Sequence, residues 1–78
     1  MKIEVQIISM QGTMEEFSGA RDVPDKTTAS DLVGLLGLPF EETYALMINN
    51  MPVAIPDRPS RVIEENDRVT IFPPIKGG

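Results

Sequence analysis

The sequence has no cysteine, no histidine and no tryptophan. Without cysteine there is no disulfide and no thiolate metal site. Without histidine, the commonest general base and the commonest metal ligand are both missing. Hydroxyls such as that of Ser60 have no imidazole to activate them, so independent catalysis is not expected, nor is a bound metal. Basic residues are few: 7 Lys and Arg against 12 Asp and Glu, for a net charge of -5. Such a chain repels phosphate backbones, which argues against nucleic-acid binding and suits a basic protein surface as partner. No apolar run approaches the roughly 18 residues that span a membrane. The opening Met1-Lys2-Ile3-Glu4 lacks a signal-peptide pattern, so the expected location is the cytoplasm, with no membrane partner.

What is present fits one domain: 78 residues, 41% hydrophobic. Lys2 to Ser9 alternates, with Ile3, Val5 and Ile7 on one face and Lys2, Glu4 and Gln6 on the other. Met10-Gln11-Gly12-Thr13 reads as a hairpin turn into an edge strand over Glu15 to Val23, with a bulge at Gly19. A helix then opens on Thr28 as N-cap, with Asp31 in its first turn. Ala29, Leu32, Val33, Leu35 and Leu36 are read as its buried stripe, Gly34 as a close packing or a tolerated defect. Gly37 is the left-handed stop, Leu38 packs back on Val33, and Pro39 forbids continuation. Phe40 to Thr43 connects to a strand over Tyr44 to Asn49, with Leu46 and Ile48 inward. Asn49-Asn50 is a turn, and Val53 to Ile55 is predicted as a short strand among Pro52, Pro56 and Pro59. Val62 and Ile63 are expected to plug an apolar gap under a loop, and Glu64 to Asp67 is a polar turn. Val69 and Ile71 face inward in the last strand, Thr70 and Phe72 outward. The predicted class is α+β, a mixed sheet with one main helix packed on one face. The first and last strands should lie adjacent and parallel, because the crossover between them contains the helix.

Three acidic doublets, Glu15-Glu16, Glu41-Glu42 and Glu64-Glu65, are read as solvated surface. The five methionines are read as packing filler. Ile8, Met47 and Phe72 have the wrong parity for the core and are predicted to form one exposed patch, bordered by Met51, that docks a partner.

The last strand runs into Phe72-Pro73-Pro74-Ile75-Lys76-Gly77-Gly78. Proline has no backbone donor, so Pro73-Pro74 ends the strand and holds the chain extended. The expected division is a domain over 1–72 and an extended tail over 73–78, reaching roughly 20 Å at about 3.1–3.5 Å per residue. Two terminal glycines let a backbone approach a reaction centre closely.

With this element order, this length and that tail, the chain resembles the ubiquitin-like sulfur carriers, which share the β-grasp fold. It is most similar to the small subunit of molybdopterin synthase, whose chains typically end in a Phe-Pro-Pro segment followed by Gly-Gly. The resemblance implies a cycle. A ubiquitin-activating-like adenylating enzyme uses ATP to activate the carboxylate of Gly78. A sulfur donor of the cysteine desulfurase or rhodanese type converts it to a thiocarboxylate. The large subunit of molybdopterin synthase then receives the tail. No cofactor is expected on the carrier itself, and ATP belongs to the activating enzyme. The other readings are a carrier for thiamine or another thiolated product, and a non-covalent ubiquitin-like binding module.

Overall fold

The computed structural model describes residues 1–9, 12–13, 18–37 and 44–72. The described residues form six strands, one α-helix and one short 3-10 turn. Strand β1 (Lys2–Ser9) pairs antiparallel with β2 (Gly12–Thr13) and β3 (Gly19–Asp22) on one side. On its other side it pairs in parallel with β6 (Arg68–Phe72), in the register Val5 to Val69 and Ile7 to Ile71. Strand β6 then pairs antiparallel with β4 (Ala45–Ile48), and β4 with β5 (Met51–Pro52). The sheet order is thus β2-β1-β6-β4-β5, with β6 central. Helix α1 (Ala29–Leu36) covers one face. This is the β-grasp arrangement, and the parallel central pair is the one that the crossover argument requires.

The core follows the alternation. Ile3, Val5, Ile7, Leu46, Ile48, Val69 and Ile71 are all buried beneath Ala29 and Leu32 of the helix, with Val33 and Leu36 packed against them. Thr28 caps α1: its hydroxyl accepts from Asp31 N at 3.1 Å, and its own N–H donates to the Asp31 carboxylate at 3.2 Å. This reciprocal pair satisfies two donors and stabilises the helix by about 1 kcal/mol relative to alanine at the cap. Two further first-turn donors are taken by the chain itself, Ala29 N by Arg61 O at 2.9 Å and Ser30 N by Arg58 O at 3.3 Å. Gly37 ends the helix at φ 62°.

Three expectations are corrected and one alternative is decided. Leu35 is 59% exposed, because at 100° per residue it lies well off the line through Ala29, Leu32, Val33 and Leu36. Of the two readings of Gly34, the tolerated defect holds: a Cβ there would meet nothing within 4 Å. The short strand is Met51–Pro52 rather than Val53 to Ile55. Asn49 and Asn50 both have positive φ, 52° and 68°, which is the two-residue turn that sets Met51 directly opposite Ile48. Ile55 to Asp57 is a 3-10 turn. Only Ile63 of the apolar pair is buried; Val62 is 42% exposed and bridges Thr28. The predicted edge strand is seen over Gly19–Asp22, and Gly19 has φ 126°, which favours glycine. Its Glu15 to Phe17 portion lies outside the described residues, as do Met10, Gln11, Leu38 and the 40–43 connection.

Candidate functional site

The register sorts the outer face of the sheet, the one away from the helix, into rows, because paired residues project to the same side. The row at one end holds Ala20, Glu4 and Arg68, with Asn49 in the turn beside them. The middle row runs Gln6, Thr70, Met47 and Pro52. Thr70 stands between Gln6 and Met47 and is 5% exposed, although its parity is outward. At the other end Phe72 pairs Ala45, and the next step of the β1–β6 register sets Ile8 beside Phe72. Ile8, Met47 and Phe72 are each half-buried. Ile8 and Phe72 are therefore brought together at the end where β6 runs out, with Met47 one row back and diagonal to Phe72.

Met51 is not with them. It pairs Ile48 and so belongs to the inner parity, at a sheet edge where it stands 69% exposed. Pro52, paired with Met47, takes the place that the sequence reading gave to Met51. Proline suits this position, since an edge strand tolerates a missing donor.

The patch continues past β5. Ala45, Met47, Pro52 and Phe72 line an open groove of about 600 Å³ together with Val53, Ala54 and Ile55. Tyr44 and Arg58 also line it, 4% and 5% exposed. An Arg58 Nη donates to Tyr44 O at 2.8 Å, and the guanidinium carbon sits 4.4 Å from the centre of the Tyr44 ring. Sequence reasoning missed the groove, because a charged residue flanked by prolines reads as exposed loop. The cluster of three prolines was the available signal that this segment leaves the sheet after Pro52.

The polar end is built by a different network. Asn49 donates from its amide to Asp67 Oδ1 at 2.8 Å and accepts from Arg68 N at 2.9 Å. The other Asp67 oxygen accepts from Glu64 N at 2.8 Å. Asp67 is 8% exposed, a buried carboxylate held by directed donors.

Pro73, Pro74, Ile75, Lys76, Gly77 and Gly78, the tail on which the chemistry is expected, lie outside the described residues. Among the described residues no group of three or more acidic residues is placed to hold a metal ion. No described helix is long and apolar enough to cross a membrane.

Comparison with known proteins agrees with this architecture. The crystal structure of SAMP1 from Haloferax volcanii superimposes with a TM-score of 0.67 over 100% of both chains at 19% sequence identity, a likeness of fold. No curated protein matches the sequence. The sequence pattern of the ThiS family matches residues 8–78, from the end of β1 through the glycine pair. The chain belongs to the ThiS family of small ubiquitin-like sulfur carriers.

Proposed function

We propose that this protein carries sulfur as a thiocarboxylate on Gly78, as the small subunit of molybdopterin synthase. One observation carries the reading: β6 is the central strand, and it ends at Phe72, inside the apolar end of the outer face and immediately before Pro73-Pro74. A tail rooted there leaves the domain beside the surface best suited to grip an enzyme. The double proline favours the molybdopterin branch over carriers for thiamine, whose tails generally lack it.

A carboxylate at neutral pH is a poor electrophile. In the adenylating enzyme an oxygen of Gly78 attacks the α-phosphorus of ATP, the α–β anhydride bond breaks, and pyrophosphate leaves. A sulfur nucleophile at the oxidation level of sulfide then attacks the acyl carbon, and AMP leaves with the electron pair. The reacting atoms belong to the backbone, so a chain lacking His and Cys can sit in such a cycle. Pro73-Pro74 lowers the entropy lost on threading the tail into the enzyme, and glycine fits a narrow channel.

The test is intact mass after co-expression with the adenylating enzyme and a sulfur donor. Replacement of one oxygen by sulfur at Gly78 is expected. Deleting Gly78 shortens the reach by about 3.5 Å. Adenylate formation should then fall by at least about 10²-fold, since roughly 1 Å of misplacement suffices for that. A full-length chain that binds the enzyme yet never acquires sulfur would leave the non-covalent binding module standing instead.

A further inference from the structure

Thr27, Arg58, Asp67 and Thr70 are the buried polar residues among those described, and Arg58 is the one cation. Its position links three elements. Its own carbonyl accepts from Ser30 N in the first turn of α1. Its guanidinium donates to Tyr44 O at 2.8 Å and stacks on the Tyr44 ring at 4.4 Å, within cation–π range. Tyr44 leads directly into Ala45, the residue paired with Phe72. A contiguous path therefore runs from the helix through Arg58, Tyr44 and Ala45 to the last described residue before Pro73.

Burying a guanidinium is expensive, and an apolar side chain would fill the same space at lower cost. The planar group does two things that an apolar residue or a lysine cannot do together. It lies flat on the tyrosine ring, and it holds a carbonyl at the very start of β4 from the side. Both contacts fix where β4 begins, and hence the neighbour against which β6 ends. We propose that Arg58 is a positioning residue: it fixes where β4 begins and so where Phe72, the residue from which the Pro73–Gly78 tail continues, is held for the adenylating enzyme. This inference rests on the sulfur-carrier reading for its consequence, though the clamp itself does not. Such a role acts on the placement of the Gly78 carboxylate, while every side chain of the outer-face patch is retained. Its mark is a loss in kcat with little change in the carrier's KM.

The test uses the full chain with Arg58→Met and Arg58→Lys, each checked for fold by its amide spectrum. ATP–pyrophosphate exchange with the adenylating enzyme gives kcat and KM for the carrier. For Arg58→Met, kcat should fall at least about tenfold while KM moves less than about threefold. Arg58→Lys, which keeps the charge but not the planar stack, should recover only part of the loss. Wild-type kcat in either folded variant, or a loss confined to KM, overturns the proposal. If Arg58→Met does not fold, the lysine variant alone decides it. If wild-type protein is not adenylated at all, the sulfur-carrier reading fails, and the clamp is then judged by amide hydrogen exchange. Ala45 and Phe72 should exchange faster in Arg58→Lys while Val5 and Val69 stay unchanged. Equal exchange at Ala45 and Phe72 would remove the clamp.

Discussion

The outer face of the sheet has two ends made from the same strands, and they are built on opposite principles. At one end Glu4, Arg68 and Asn49 are exposed, and a buried carboxylate, Asp67, ties the turns together through hydrogen bonds. At the other end Ile8, Phe72, Met47 and Pro52 present carbon to solvent, with the Tyr44–Arg58 groove beside them. The inner face needs no such division, because the helix and its flanking loop cover it. The polar end ties Asn49, Asp67 and the Arg68 N–H into one hydrogen-bonded network, whereas the apolar end leaves carbon exposed among the described residues. There, half-buried side chains from three strands gather beside Phe72, where the last described strand ends.

The sharpest way to break this contrast is Phe72→Asp. A carboxylate at the centre of the apolar end should weaken binding to the adenylating enzyme by at least about 2 kcal/mol, read by calorimetry. The domain should remain folded, because Phe72 projects from the outer face. Normal binding would make the patch incidental. The next effect should appear at the other end and in stability alone. Asn49→Ala leaves Asp67 without a side-chain donor and puts alanine at positive φ, so denaturant unfolding should show a loss of about 1–3 kcal/mol with unchanged binding. A binding defect there would mean that the two ends are not separate. Smaller and opposite in sign, Gly34→Ala on the far side of the molecule should raise stability by up to about 1 kcal/mol, since the added methyl meets nothing. Smallest of all, Arg68→Gln on the exposed polar end should change stability by less than about 0.5 kcal/mol. Its binding should change only through the weak long-range charge, and a loss as large as that of Phe72→Asp would extend the interface across the whole face.

Periodicity made the central pair of strands readable. Ile3, Val5, Ile7, Val69 and Ile71 alternate without a break, and the crossover between them dictated a parallel pairing. The helix was legible at both ends, because Thr28, Asp31 and Gly37 each do one local job that the structure repeats. Local chemistry failed where position depends on distant parts of the chain. Leu35 is as apolar as Leu32, and only its angle about the helix separates an exposed side chain from a buried one. Met51 was set beside the outer-face patch, yet a two-residue turn fixes register absolutely, so one step exchanges the faces and puts Pro52 there. Arg58 and Asp67 carry charges that composition assigns to solvent; their burial depends on partners 14 and 18 residues away, the Tyr44 carbonyl and the Asn49 amide. The patch was found because parity is a local property, and the groove beside it was missed because a loop folded back along a sheet edge is not.

The parallel pairing of β1 with β6 also governs the order of events in synthesis. Val5 cannot meet Val69, nor Ile7 meet Ile71, until nearly the whole described chain has left the ribosome. The hairpin of β1 with β3 and the capped helix can form earlier, but the strand that lies between β1 and β4 arrives last. Closing so long a loop before any contact rewards it places refolding toward the slow end for mixed α/β domains, in about the millisecond range. Stopped-flow refolding should therefore slow with Val69→Ala as well as with Val5→Ala, marking the pair as part of the nucleus. Until that strand docks, the residues that follow it have no central strand to leave from. Until then the outer-face rows that run through β6, Gln6 with Thr70 and Met47 among them, are not assembled.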